Sequence, residues 1–273
     1  MANSGVADYQ LRVDVARTVQ LEADAEYAND SVAGANVLAL TTAGNQRSGT
    51  IAGTIMNGQS GNVDEDYLNL GTVQAGETIL LSIRLPLSSR LRPVIEIRNA
   101  ANQVVNVTAN PSDAVGRADI STAGSYYAVV VARGGQGHFG QYLLDAAIQP
   151  TSDLNFSDLV VASIVAPTSA ASGQTINFGW TVGNFGAVAT PVASWSDRVV
   201  LSYNEVFGDE DDFQVSLVPH AGALPVGSNY LAQASVDLPL GLSGRFFVFV
   251  KTDAANNVPE FIFEANNVRT GDT

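Results

Sequence analysis

Hydrophobic and polar residues alternate with period two along most of this chain, the pattern of strands that bury one face. In the first half the alternation predicts strands at 50–56, 67–70, 78–85, 94–98, 104–108, 118–120, 126–132 and 142–148. Turn-forming runs punctuate them at 74–77, 99–103, 123–125 and 134–137, and such regular spacing argues for a β-sandwich. In the second half, Ile176, Phe178, Trp180 and Val182 fall on one face of a strand at 175–182, which makes Trp180 an expected core anchor. Further strands are expected at 195–202, 213–218, 230–238 and 244–252. Seven or so strands in about 115 residues suit an immunoglobulin-like sandwich. Phe261 and Phe263 are expected on alternate faces of a strand, and a short helix is expected from Ser31, capped by Asp30 or Ser31.

A break at 147–153 divides the two strand series. Pro150 removes a backbone donor, and Thr151-Ser152-Asp153 continues as a polar connector. The expected organisation is one sandwich over 21–149, a linker over 150–157 and a second sandwich over 158–273, with 158–273 able to fold alone. Residues 4–18 alternate around Tyr9, Leu11, Val13 and Val15, much as the segment after Gly137 leads into Tyr142 and Leu144. Residues 1–20 therefore read either as an ordinary first strand or as the last strand of a preceding repeat in a longer chain.

Composition narrows the partners. The 273 residues carry 27 Asp plus Glu against 13 Lys plus Arg, a net charge of −14. Nucleic acid and anionic lipid need clustered basic side chains, so neither is expected, whereas divalent cations are favoured. There is no cysteine, which excludes disulfides and thiolate metal sites. Residues 1–20 lack a basic n-region followed by an apolar core, so no signal peptide is expected, and no apolar run reaches the length of a membrane helix. Catalysis is not expected either. The two histidines, His138 and His220, stand in different halves, no pair is spaced for zinc, and no Gly-x-Ser-x-Gly elbow occurs.

Three acidic clusters remain. Calcium takes six to eight oxygens from carboxylates, amides, backbone carbonyls and water. The first cluster joins Asp24, Glu26, Asn29 and Asp30 to Asp64 and Asp66; it reads as a calcium site or as a helix cap with solvated charge. The second is Asn204, Glu205, Asp209, Glu210, Asp211 and Asp212, in which four consecutive acids repel one another and a cation would relieve them. Asn204, Asp209, Asp211 and Asp212 are its candidate ligands, against an exposed hairpin loop. The third, Asp253, Asn256, Asn257, Glu260, Glu264, Asn266 and Asn267, reads as side chains building turns through bonds to the backbone.

Four motifs occur in order in the first half: Asp64-Glu65-Asp66-Tyr67, Ala75-Gly76-Glu77, Ala123-Gly124-Ser125-Tyr126-Tyr127 and Gly140-Gln141-Tyr142-Leu143-Leu144. Through them, 21–149 resembles the bacterial pre-peptidase C-terminal domain. The resemblance implies a jelly-roll-like sandwich, an accessory role in secreted proteases and surface proteins, and calcium held by the acidic run before the domain with acids near the Asp-Tyr strand. The second half carries Asp158-Leu159-Val160-Val161, Trp180-Thr181-Val182 with Asn184 and Gly186, the run from Trp195 to Ser202, the stretch 242–253, and Glu260 with Glu264-Ala265-Asn266-Asn267. It resembles the bacterial cell-adhesion-related domain, CARDB, which implies an extracellular sandwich in multidomain surface proteins.

The expected protein is all-β, with two consecutive β-sandwich domains, the first jelly-roll-like and the second immunoglobulin-like. It is expected to be a monomeric, calcium-stabilised, extracellular or surface-located bacterial module for spacing and adhesion. Its expected partners are a cell-surface glycan or protein and the neighbouring domains of a longer chain. The alternative is a carbohydrate- or peptide-binding accessory to a secreted hydrolase, a reading that exposure of Trp195 or Tyr203 would favour.

Overall fold

The structure is a computed structural model that describes residues 19–24, 27–56, 64–105, 112, 114–132 and 138–271. The segment 4–18 and residue Glu26 lie outside the described residues, as does most of the strand expected at 104–108, of which Val104 forms an isolated bridge with Arg98.

Ten strands build the first half: β1 (Val19–Leu21), β2 (Asn36–Val37), β3 (Thr41–Ala43), β4 (Gln46–Ile55), β5 (Glu65–Val73), β6 (Glu77–Arg84), β7 (Pro93–Asn99), β8 (Val115–Asp119), β9 (Gly124–Ala132) and β10 (Gly140–Pro150). One sheet runs β1-β4-β10-β6-β8, with β3 beside β4, and the other runs β2-β5-β9-β7. Seven further strands build the second half: β11 (Leu159–Val165), β12 (Thr175–Asn184), β13 (Ser194–Ser202), β14 (Phe213–Ala221), β15 (Asn229–Asp237), β16 (Phe247–Lys251) and β17 (Val268–Thr270). Their sheets run β11-β12-β15 and β14-β13-β16-β17. The all-β sandwich class read from the sequence is thus what the chain adopts. Among the described residues, no helix is long and apolar enough to cross a membrane.

The inward residues follow the pleat. Ile176, Phe178, Trp180 and Val182 all point into the second core, where they meet Trp195, Val199 and Leu201 of β13. In the first sandwich Ile79, Leu81 and Ile83 of β6 face Ile95, Ile97, Ala128 and Val130. Strand β6 is buried on its other face as well, because Leu80, Val115 and Ala147 pack against Phe156 and Phe263 of the second half. The connector therefore has two characters: Ser152 and Asp153 are exposed, whereas Phe156 is 5 % exposed and holds the sandwiches together.

Two local expectations are corrected. The chain after Ser31 makes a tight turn rather than a helix, with the Gly34 N–H on Ser31 O at 3.1 Å. A Cβ on Gly34 would stand 2.0 Å from Ala28 O, so the backbone doubles back where a helix would run on. Phe261 and Phe263 lie in a turn and not in a strand. Phe261 has φ 59° and is exposed, Phe263 is buried, and a 3-10 turn, Glu264–Asn267, follows. Phe263 N–H donates to Glu260 O at 2.9 Å, which closes that turn.

Candidate metal centres

The first cluster is assembled by strand pairing. β1 runs parallel to β4, and the Glu22 N–H donates to Ala52 O at 3.0 Å, which continues that pairing and sets Glu22 beside Gly53 and Thr54. Tyr142 of β10 stands opposite Gly53 in the antiparallel register. A Cβ on Gly53 would lie 2.3 Å from the Tyr142 hydroxyl and 2.6 Å from Glu22 Oε2, so only glycine leaves room for both. The 27–31 turn is pinned to β5 by Tyr67 N–H on Asn29 O at 3.0 Å and Glu65 N–H on Asp30 Oδ1 at 3.2 Å.

Here the carboxylates converge. One oxygen each of Asp24, Asp64 and Asp66 lie within 4.8 Å of one another. Asp66 is fully buried and accepts from Asn29 Nδ2 at 3.0 Å and from the Tyr142 hydroxyl at 2.6 Å. The Thr54 and Met56 N–H groups donate to Glu22 Oε1 and Asp64 Oδ2. Four buried oxygens are left without a hydrogen-bond partner: Glu22 Oε2, Asp24 Oδ2, Asn29 Oδ1 and Asp64 Oδ1. Buried polar atoms are otherwise nearly always partnered, so four orphans in one place need a reason. The electrostatics agree. Burial, then the Asp66 charge, pushes Glu22 up to about 9; burial pushes Asp64 to about 7 and Asp66 to about 6. Burial, with the neighbouring carboxylates, raises the Tyr142 hydroxyl well above its ordinary value.

Of the sequence-derived first set, then, the structure brings Asp24, Asn29, Asp64 and Asp66 together. Asp30 serves the turn through its bond to Glu65. Glu22 was missed, because its membership depends on β1 pairing with a strand thirty residues further along the chain. An all-oxygen set of carboxylates and an amide suits a hard cation, and no sulfur or imidazole competes in it.

The second cluster looks different. Asn204 Nδ2 donates to Asp209 Oδ2 and Asp211 Oδ2, both at 2.8 Å, and Ser202 Oγ donates to Asp211 Oδ1 at 2.8 Å. Asn204 Oδ1 is taken by the Val206 N–H at 2.6 Å, so Asn204 turns its amino group, not its oxygen, to the carboxylates. Gly208 N–H donates to Asp212 Oδ2 at 2.6 Å, which leaves Asp212 Oδ1 as the unpartnered oxygen of this half-buried loop. Donation from Asn204, foremost, and from the Asp211 N–H holds the Asp209 carboxyl below its ordinary value. The Glu205 carboxylate instead pairs with Arg92 of the first sandwich.

A buried acid that the sequence reading did not single out lies in the second core. Asp197 occupies the inward register of β13 between Trp195 and Val199 and is fully buried. It accepts from Trp180 Nε1 at 2.7 Å, from the Tyr230 hydroxyl at 2.7 Å and from Thr252 Oγ1 at 2.8 Å. Tyr230 in turn accepts from Trp195 Nε1 at 3.0 Å and stacks on His220 with ring centroids 3.9 Å apart. Burial raises the Asp197 carboxyl above its ordinary value. Both tryptophans are spent on this core, and neither offers a face to solvent.

Comparison with known proteins bears on the second half. No curated protein matches the chain. Among solved structures, the CARDB domain of a Pyrococcus furiosus protein in complex with di-metal ions is 22 % identical, covering 44 % of this chain and 89 % of that one with a TM-score of 0.31. A solution structure of the same Pyrococcus furiosus domain gives 22 % identity over 44 % of this chain and 95 % of that one, with a TM-score of 0.32. A Bacteroides uniformis β-glucuronidase is 12 % identical over 78 % of this chain and 25 % of that one, with a TM-score of 0.31. The CARDB family model matches residues 156–271, and the chain therefore carries a CARDB domain in its second half.

Proposed function

We propose that this chain is a non-catalytic, calcium-stabilised extracellular module of a large bacterial surface or secreted protein, serving as a spacer and in adhesion. In this reading 21–149 and 158–273 are separate domains, the first a pre-peptidase C-terminal-like sandwich by its motifs, and the protein is a monomer within a longer chain. The observation that carries the calcium assignment is the set of four unpartnered buried oxygens at Glu22, Asp24, Asn29 and Asp64 beside Asp66. A bound calcium ion supplies the positive charge that these oxygens otherwise lack, and magnesium, which needs a tighter octahedron, fits less well. The CARDB match supports the adhesive, extracellular side of the reading.

Peptide, ester and glycoside substrates, each with added calcium or zinc, test the non-catalytic part. No turnover is expected, and turnover abolished by a single side-chain change would refute it.

One observation favours the alternative, a carbohydrate- or peptide-binding accessory. Tyr203 is 46 % exposed and Phe213 is 44 % exposed, and the Tyr203 ring lies 4.5 Å from that of Phe246 and 5.6 Å from that of Phe213. Such an aromatic group can stack on a sugar or a peptide side chain. A glycan and peptide array probed with the parent protein and with Tyr203→Ala discriminates the readings. Binding that Tyr203→Ala removes selects the accessory role; binding indifferent to Tyr203 selects the adhesive one.

A further inference from the structure

The turn after β16 holds a second group of carboxylates that the chain does not neutralise. One oxygen each of Asp253, Glu260 and Glu264 lie within 4.8 Å of one another. Oxygens within that limit can all reach one calcium ion, since two on opposite sides of it at ~2.4 Å stand ~4.8 Å apart. Asp253 and Glu260 are fully buried, as is Asn267. Lys251, whose charge reaches Glu264, is occupied at Asn256 Oδ1, 2.9 Å away.

The backbone holds this group open. Asp253 Oδ1 and Oδ2 accept from the N–H groups of Asn257 and Val258 at 2.9 and 2.8 Å. Glu260 Oε2 accepts from Leu159 N–H at 2.7 Å, and Glu264 Oε1 accepts from Glu260 N–H at 3.0 Å. A carboxylate oxygen that accepts one such bond keeps a lone pair for a metal. Asn267 reaches the group directly, since its Nδ2 donates to Glu260 Oε1 at 3.1 Å. That bond fixes which end of the amide is oxygen, and Asn267 Oδ1 has no partner. Glu264 Oε2 and the oxygen of the buried Asn266, whose Nδ2 donates to Asp158 Oδ1 at 2.8 Å, have none either. Backbone N–H groups of the turn and of Leu159 thus account for one oxygen or two of each carboxylate, and three buried oxygens, on Glu264, Asn266 and Asn267, remain unexplained.

We propose that Asp253, Glu260, Glu264 and Asn267 form a second calcium-class cation site, distinct from the one in the first sandwich, under the turn that seats Phe263 in the junction. Burial, foremost, pushes Glu260 up to about 10 and raises Glu264, as expected where an ionised group lacks its counter-charge. The site has a structural consequence. The 3-10 turn Glu264–Asn267 lies against β6, and Phe263 packs with Leu80, Val115 and Ala147 of the first sandwich. A cation that ties Glu264 and Asn267 to Asp253 and Glu260 holds this turn in the shape that docks the two sandwiches.

The test is calorimetric titration of the whole chain with calcium chloride, on a background of Glu22→Gln with Asp64→Asn so that the first site is removed. The background should retain a calcium-binding event, and Glu264→Gln added to it should weaken that event roughly tenfold or more, through loss of ligand charge. The glutamine keeps an acceptor for the Glu260 N–H, so equal melting midpoints in chelator confirm that the fold is intact. Hydrogen exchange locates the ion: calcium should slow exchange across 253–270 in the background protein. No binding in the background, equal binding with Glu264→Gln, or protection confined to 202–213 overturns the proposal. Parent and background proteins that bind alike would instead refute calcium at the first site and leave this one standing.

Discussion

Chelation should lower the melting temperature of the first sandwich by several degrees, and millimolar calcium should restore it. Extracellular modules hold calcium with dissociation constants of ~10⁻⁴–10⁻³ M, and at ten times that constant linkage contributes about 1.4 kcal/mol. For a domain of ~100 residues each kcal/mol shifts the midpoint by about 4–8 °C. The increment belongs to Glu22, Asp24, Asn29, Asp64 and Asp66, so Glu22→Gln and Asp64→Asn should each shrink it and the double variant should abolish it. In chelator these variants should melt no lower than the parent, because each removes a carboxyl whose charged form burial disfavours and keeps an acceptor for the Thr54 or Met56 N–H. A parent protein indifferent to chelator, or a double variant as responsive as the parent, would sink the assignment.

The same carboxylates set the pH dependence. Their folded values, about 6 for Asp66, about 7 for Asp64 and about 9 for Glu22, lie above the ordinary 3.8 and 4.5. The folded state thus binds protons more tightly than the unfolded one, and stability present below pH ~4 is lost as the pH rises through these values. In chelator the first transition should fall between pH 5 and pH 9. With calcium the slope should flatten, because the ion replaces the protons it displaces. A chelated protein that gains stability over this range contradicts the arrangement.

The second core was legible residue by residue. Ile176, Phe178, Trp180 and Val182 obey the pleat, and the burial of Trp180 follows from its register alone. Asp197 was equally legible in principle, since it is an acid standing in the inward register between Trp195 and Val199; the signal was present and went unclaimed. Glu22 was not legible, because it enters the first site through the parallel pairing of β1 with β4, a contact distant in sequence. The third cluster lay between these cases. Its Asp253 does build a turn, as the sequence suggested, but the orphaned oxygens of Glu264, Asn266 and Asn267 exist only in three dimensions. The junction was hidden for a similar reason. Ile79, Leu80 and Leu81 form an unbroken apolar run, which signals a strand buried on both faces, yet nothing local says that Phe156 and Phe263 supply the cover.

Replacing Asp197 by alanine should destabilise the second sandwich by about 3–5 kcal/mol, on the order of two hydrogen bonds to a charged group at about 1.5–3 kcal/mol each. Here the cost arises on the donors' side. Trp180 Nε1, the Tyr230 hydroxyl and Thr252 Oγ1 all aim at this one carboxylate, and its removal leaves Trp180 Nε1 buried without an acceptor, a loss of about 1–3 kcal/mol, and leaves the two hydroxyls only each other, 3.3 Å apart. The residue is fully buried, so water has little access to repair the loss. The expected drop in melting temperature exceeds about 10 °C. Tyr230→Phe, which removes one donor to Asp197 and the acceptor of Trp195 Nε1, should cost less, about 1–2 kcal/mol. Neither variant should alter the calcium increment of the first sandwich, since Asp197 lies in the other core. An Asp197→Ala protein within about 1 kcal/mol of the parent would show that the carboxylate's desolvation cancels the bonds it accepts, as happens in some buried ion networks.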